Sequence, residues 1–141
     1  MLRRATVIAL HWASVFSILS RVAGGASHPW VLILFVAIAP LWTGMMLARG
    51  RLSRPGPKLS AGFRRAYPWM HRTLHLLRAL TASAIAFRLI GAPLRFLDAW
   101  MMLLVTLAAA TFHSVFDVWR QTALYDKALR LMTPRLVHTW L

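Results

Sequence analysis

The sequence predicts an all-α integral membrane protein, organised as one four-helix bundle that spans residues 1–141. Four apolar runs, each about as long as a membrane-spanning helix requires, are separated by short breaks. The chain is 59% hydrophobic and only 14% charged, whereas soluble domains carry about 25% charged residues. Seven tryptophans and two tyrosines suit the two membrane–water interfaces, where amphipathic rings prefer to lie.

The first two apolar runs predict helices at about 5–22 and 30–48. The basic start of the first run and the small residues after it are typical of a signal peptide. Arg21, however, occupies a region that is neutral at a cleavage site, so we interpret this run as a retained helix. The second run is long enough to cross a hydrocarbon core of about 30 Å, and Pro40 predicts a kink within it.

The second half of the chain predicts two further helices, at about 69–90 and 96–124. Before them, residues 49–68 carry six basic residues and no acid, which predicts a solvated loop beside anionic headgroups. The fourth run is longer than a span requires, so its end is expected to project beyond the membrane. Residues 127–141 predict a short amphipathic tail, interrupted at Pro134.

The distribution of basic residues predicts that both termini lie in the cytoplasm. With the N-terminus inside, only Arg21, Arg88 and Arg95 lie toward the outside, as the positive-inside rule requires. The formal net charge of +14 is also typical of nucleic-acid-binding proteins. Here the basic residues lie between apolar runs rather than on one face of a polar domain. The expected partner is therefore the lipid bilayer and not nucleic acid.

Two histidines within apolar helices are the main candidate functional residues. A histidine buried in the hydrocarbon core of a membrane costs free energy, so such a residue usually has a function. His11 follows Arg4 by seven residues and His113 precedes Arg120 by seven, so each is expected about 10 Å from the cytoplasmic charges. Two imidazoles at one depth on different helices can bind the two axial positions of a b-type haem. The alternative is that each histidine hydrogen-bonds a neighbouring helix.

A second group of polar residues lies on the third predicted helix. His71 and His75 are one turn apart, with Arg78 on the same side. Their candidate roles are contact with haem propionates, a quinone headgroup site or, for His75, iron ligation. The alternative is an interfacial histidine and a buried polar contact. The residues expected to neutralise propionates are Arg72, Arg78 and Arg120.

The other residue types offer few further candidates for a functional site. The absence of cysteine excludes disulfides, zinc–thiolate sites and covalent haem attachment through a Cys-x-x-Cys-His motif. Asp117 lies one turn after His113 and is expected to form an ion pair with Arg78 or Arg120. A proton-relay role for Asp117 near a quinone is the alternative.

Three motifs resemble those of the bacterial cytochrome b561 family, which is related to the cytochrome b subunits of nickel–iron hydrogenases and formate dehydrogenases. Leu10-His11-Trp12 resembles the family's Leu-His-Trp near the start of the first helix. The segment from His71 to His75 resembles the histidine-rich start of the third helix, with a spacing one residue longer. His113, Asp126 thirteen residues later and Leu129–Pro134 resemble the fourth-helix histidine and the Asp…Leu-x-Arg-Met-x-Pro motif after it.

The resemblance implies that His11 and His113 ligate one haem b near the cytoplasmic side of a bacterial inner membrane. His28 corresponds to a ligand of a second, outer haem in the family. The position of its partner, fourteen residues before His113, is Ala99 in this chain. The outer haem is therefore expected to be absent from this short member.

The expected function is electron transfer to or from membrane quinone or a partner redox protein. Whether the protein is itself a quinone-linked oxidoreductase stays open. The alternative is a small accessory subunit of a larger membrane redox or photosynthetic complex, with or without haem. The short loops and the missing outer ligand favour that alternative.

Overall fold

A computed structural model describes residues 2–24, 29–50, 55–134 and His138. Its described part contains four α-helices and no strand, which confirms the all-α prediction. The helices are α1 (Leu2–Gly24), α2 (Pro29–Arg49), α3 (Ala61–Leu89) and α4 (Ala99–Ala123), followed by a short 3₁₀ turn (Leu129–Leu131).

The helices pack in chain order, α1 on α2, α2 on α3 and α3 on α4. Short connections make each successive pair antiparallel. The first and last helices, which would close the bundle, do not pack extensively on one another within the described ranges. We call this gap between α1 and α4 the open seam. It is the part of the bundle where space is left that no helix fills.

Three of the helices are long enough and apolar enough to cross a membrane: Arg3–Gly24, Pro29–Arg49 and Ala99–Ala123. Large apolar side chains such as Ile33, Leu47 and Phe112 point outward and are exposed. Such a surface indicates a lipid bilayer environment and a multi-pass membrane protein. The remaining helix, α3, is longer but more polar, and it packs between α2 and α4.

The interior has an apolar half and a polar half. Phe35, Ala39, Ile85 and Leu103 belong to a closely packed apolar core shared by all four helices at one end of the bundle. A hydrogen bond of 2.7 Å between the hydroxyls of Thr81 and another threonine, on α4, borders this core. Beyond that layer the interior is lined by histidine, arginine and serine side chains, which form the candidate site described below.

Helix α3 begins at Ala61 rather than near Trp69, so the second half of the predicted loop 49–68 is helical. Ser60 caps the helix by accepting a hydrogen bond from the Phe63 backbone N–H. The early turns are held by aromatic packing, with the Phe63 ring 5.7 Å from the Phe116 ring of α4. The basic side chains of these turns remain exposed, which explains why composition alone indicated a loop.

The segment after α4 is a turn around Asp126, followed by the 3₁₀ turn at Leu129–Leu131. Its flanking residues Tyr125 and Lys127 both have positive φ, 52° and 58°, a conformation that costs free energy in residues other than glycine. The Asp126 carboxylate holds it in place, because it accepts hydrogen bonds from Arg120 Nε at 2.7 Å and from the Ala128 N–H at 3.1 Å. The end of the predicted tail, with Arg135 and Trp140, lies outside the described residues.

From Asp126 the tail crosses to α1. Trp12 Nε1 donates to the Met132 carbonyl at 3.0 Å, and an Arg4 guanidinium nitrogen donates to the Arg130 carbonyl at 2.6 Å. The tail therefore connects α4 to α1 across one end of the open seam.

We predict that Gly56→Ala destabilises the protein by about 1–3 kcal/mol. A methyl group at this buried position would overlap the Asp126 carboxylate and lie 3.2 Å from an Arg120 nitrogen. The matched control is Gly62→Ala in the first turn of α3, where nothing lies within 4 Å of the added carbon and alanine favours the helix. Unfolding titrations with SDS in detergent micelles measure both variants. Equal stability of the two variants would contradict the prediction.

Candidate functional site

A cavity of about 130 Å³ lies between the helices and is lined by all four of them and by Met132 of the tail. Five of its lining residues are candidates from the sequence: His11, His71, His75, Arg78 and His113. Arg72 and Arg120, expected in the same site, are not among the lining residues. His28, the expected outer ligand, lies outside the described residues.

The two predicted ligands enter the cavity from opposite sides of the seam, His11 from α1 and His113 from α4. The His11 ring lies 5.5 Å from the Trp42 ring, which lies 5.8 Å from the His75 ring. The His113 ring instead lies 4.7 Å from the His71 ring. Both rings line the same cavity through different neighbours, and their common depth stays a prediction.

His113 is held between two neighbours. Its Nε2 atom lies 3.4 Å from a carboxylate oxygen of Asp117, one turn further along α4. The His71 ring meets the His113 ring edge-on. The His113 Nδ1 atom is buried and has no hydrogen-bond partner among the residues that the structure describes. One ring nitrogen is thus oriented by an acid while the other has no protein partner, which is the usual arrangement for a histidine that binds a metal.

His71 is buried deeper than the sequence predicted. Because α3 starts at Ala61, His71 lies well inside the helix rather than near its start, and it is buried against the other helices. Its Nδ1 atom is 3.1 Å from the Tyr67 carbonyl, and its ring contributes to the cavity wall. The signal that could have found it is Ser60, a favourable N-cap residue directly before a helix-compatible segment.

Arg78 is the cation of the cavity wall. The residue is only 6% exposed, and its guanidinium lies 3.9 Å from the centre of the Trp42 ring. One of its terminal nitrogens is 3.1 Å from the Thr43 hydroxyl and 2.8 Å from Nδ1 of His75. Arg3, which the sequence reasoning did not select, also lines the cavity and donates to the carbonyls of Arg49 and Gly50 at the end of α2.

Arg120 belongs to a separate ion-pair cluster near the tail. Its side chain is 2% exposed and lies 3.2 Å from Asp117 and 2.7 Å from Asp126. Its guanidinium also stacks 4.8 Å from the centre of the Tyr67 ring. Of the two expected partners of Asp117, the structure therefore selects Arg120. Arg72 is exposed and lies 4.7 Å from the Trp69 ring, away from the cavity.

Several polar atoms in the cavity wall lack a partner in the described part of the chain. They are Ser14 Oγ, Arg78 Nε and His113 Nδ1. Buried polar atoms are nearly always hydrogen-bonded in native proteins, to protein or to something bound. All three residues line the same cavity, so the unsatisfied atoms lie close to it.

The donor set fits a haem, whereas the enclosed volume is smaller than a porphyrin. Two imidazoles from different helices supply the axial ligands that a b-type haem needs. A cavity of about 130 Å³ is close to the roughly 150 Å³ that accommodates benzene. Further space is available at the seam, because α1 and α4 can separate there without the loss of an extensive helix–helix contact among the described residues.

Comparisons of this chain with family models, with curated proteins and with solved structures find no match. The resemblance to the cytochrome b561 family therefore stays a prediction from the residues that carry it.

We predict that Arg120→Gln lowers the free energy of unfolding of the ligand-free protein by about 3–5 kcal/mol, because it leaves two buried carboxylates without their shared cation. Arg72→Gln is the control. Its exposed stacking on Trp69 is expected to contribute no more than about 1 kcal/mol. SDS titrations of ligand-free protein in micelles measure both. A loss at Arg120 as small as that at Arg72 would contradict the structural role.

Proposed function

We propose that this protein is a membrane b-type cytochrome that holds one haem b between His11 and His113 and exchanges electrons with membrane quinone or a partner redox protein. The observation that carries the proposal is the shared cavity: both histidines line it, from two helices that do not pack extensively on each other. The proximity of Asp117 to His113 Nε2, at 3.4 Å, gives that imidazole an orienting acid and adds support.

In this proposal the membrane topology has four crossings, with both termini on the cytoplasmic side of a bacterial inner membrane. The support for α3 as a crossing helix is its position. It packs between α2 and α4, both of which are long and apolar enough to span. A helix that lies antiparallel to two spanning helices occupies the same layer of the bilayer. The excess of basic residues near both ends of the chain supports the orientation.

The chain's own residues would act as ligands, orienting groups and a barrier to water. His11 and His113 would ligate the iron. Asp117, 3.4 Å from His113, would fix the orientation of that imidazole. Apolar cavity residues such as Val15 and Leu74 would exclude water. The bound haem would supply the one-electron chemistry, and the protein would tune it through ligation and burial.

One haem near one side limits the reaction to that side, because it does not bridge a core of about 30 Å. Quinone, which resides in the same bilayer, or a redox partner would therefore meet the protein at that depth. The accessory-subunit alternative shares the fold and the lipid-facing surface. It differs in a single observable property, since it does not require a haem.

We predict that purified protein shows a b-type α-band in its reduced-minus-oxidised spectrum, and that His11→Ala and His113→Ala each abolish the band by removing an axial ligand. His138→Ala is the control, since His138 lies in the tail against Arg4 and does not line the cavity.

The absence of a band in the unmodified protein would reject the cytochrome and favour the accessory subunit. Survival of the band in His113→Ala would identify another histidine of the cavity wall, His71 or His75, as the second ligand.

We predict that single cysteines at the two ends of α3 label from opposite sides of the membrane. The chain has no native cysteine, so the unmodified protein is the background control. Lys58→Cys should react with an impermeant maleimide only after the membrane is opened. Ala92→Cys should react in intact spheroplasts. Both positions are exposed. Labelling of both from the same side would show that α3 does not cross.

A further inference from the structure

One exposed face of α3 changes along its length from basic and aromatic to apolar. Its residues follow one another at intervals of three, four or seven, so they lie on the same side of the helix. All of these side chains are exposed, and in chain order they are Arg65, Trp69, Arg72, Leu76, Leu80 and Phe87. We call this surface the α3 stripe. It meets whatever surrounds the bundle.

Arg72 is directed along the α3 stripe toward Arg65. Its guanidinium lies 4.7 Å from the centre of the Trp69 ring, three residues nearer the start of the helix. Side chains on a helix lean toward its N-terminus, and this contact carries the charge of Arg72 in the direction of Arg65. A guanidinium stacked on a ring keeps its N–H groups at the edge of its plane, where they can donate to an anion.

The chain offers these two arginines no carboxylate side chain. Two of its three acids are buried in the cluster around Arg120. The third, Asp98, caps the start of α4, which lies at the other end of the bundle from the start of α3. In the part of the chain that the structure describes, neither Arg65 nor Arg72 takes part in an ion pair. The basic end of the stripe therefore suits an anion from outside the chain.

The anion that fits the whole stripe is a phospholipid. Three helices long and apolar enough to cross a membrane indicate a bilayer around the bundle. Tryptophan favours the level of the headgroups, and basic side chains at that level attract acidic lipids. Leu76 and Leu80 lie about 10 and 16 Å beyond Trp69 along the helix axis, where acyl chains would lie. A free phosphate or an acidic peptide would use only the basic end.

We propose that the α3 stripe binds one anionic phospholipid, with its phosphate between Arg65 and Arg72 and its acyl chains along Leu76 and Leu80. This binding site goes beyond the proposed function, because it involves neither the cavity nor a haem. It gives Arg72, which lies outside the cavity, a ligand of a different kind from the one expected from the sequence.

The test is native mass spectrometry of the full-length protein in a neutral detergent. The protein is titrated with phosphatidylglycerol and with phosphatidylcholine of the same acyl chains, and the bound lipids are counted. One basic residue near an anionic surface changes binding about fivefold. The unmodified protein is therefore expected to prefer phosphatidylglycerol by about 25-fold for its two arginines. Arg65→Gln and Arg72→Gln should each lower that preference about fivefold.

The matched control is Arg64→Gln, which removes the same charge from the neighbouring exposed residue. Arg64 lies about 100° around the helix from Arg65 and so outside the α3 stripe. This variant should keep the full preference. Glycerol 3-phosphate, which carries the phosphate without acyl chains, should not displace the lipid at equal concentration. The three substituted arginines are exposed, so the variants are expected to fold.

Equal retention of the two lipids by the unmodified protein would overturn the proposal. An equal loss of preference in Arg64→Gln would overturn it as well, because the attraction would then belong to the whole basic end of the molecule. Displacement by glycerol 3-phosphate would do the same, since it would show a site for phosphate alone. The measurement needs no haem, so each of these results leaves the cytochrome proposal as it stands.

Discussion

The ion-pair cluster around Arg120 is the interaction on which the rest of the structure depends. It joins Asp117 of α4 to Asp126 of the tail, and it keeps the tail in a conformation with two unfavourable backbone angles. The tail in turn reaches α1 through Trp12 and the Met132 carbonyl. The first and last helices, which pack little on each other, are thus connected at one end by a segment that depends on a buried charge.

The same cluster determines the electrostatics of the cavity. A chain with three acids places two of them on one arginine. Arg78 therefore has no carboxylate partner among the side chains, and its contacts are with Thr43, His75 and the face of the Trp42 ring.

The helices were readable from the sequence because apolar runs of spanning length have few alternative structures. The start of α3 could not be predicted in this way, because exposed arginines give residues 49–68 the composition of a loop. The cap at Ser60 is a local signal that the sequence carries, whereas the packing of Phe63 on Phe116 is a tertiary feature. That single error in a boundary also placed His71 near the start of the helix, whereas it lies well inside α3 and is buried beside His113.

Site residues could be predicted from the sequence where their position along a helix indicated their depth in the membrane. His11 and His113 were selected on depth, and both line the cavity. The side toward which an arginine points depends on the neighbouring helices. Arg72 and Arg120 were therefore indistinguishable from Arg78 until packing was known. Arg3 was missed because its length carries the guanidinium from the end of α1 to the cavity.

The seam between α1 and α4 has a consequence for the order of assembly. Its two walls come from the first and the last helix, which are far apart in the sequence. During synthesis, which proceeds from the N-terminus, α1, α2 and α3 can associate while the cavity still lacks one side. The cavity acquires its last wall only when α4 inserts, and it is spanned at one end only when the tail docks on Trp12. A bulky occupant therefore has a period in which it can enter from the side, before the bundle closes around it.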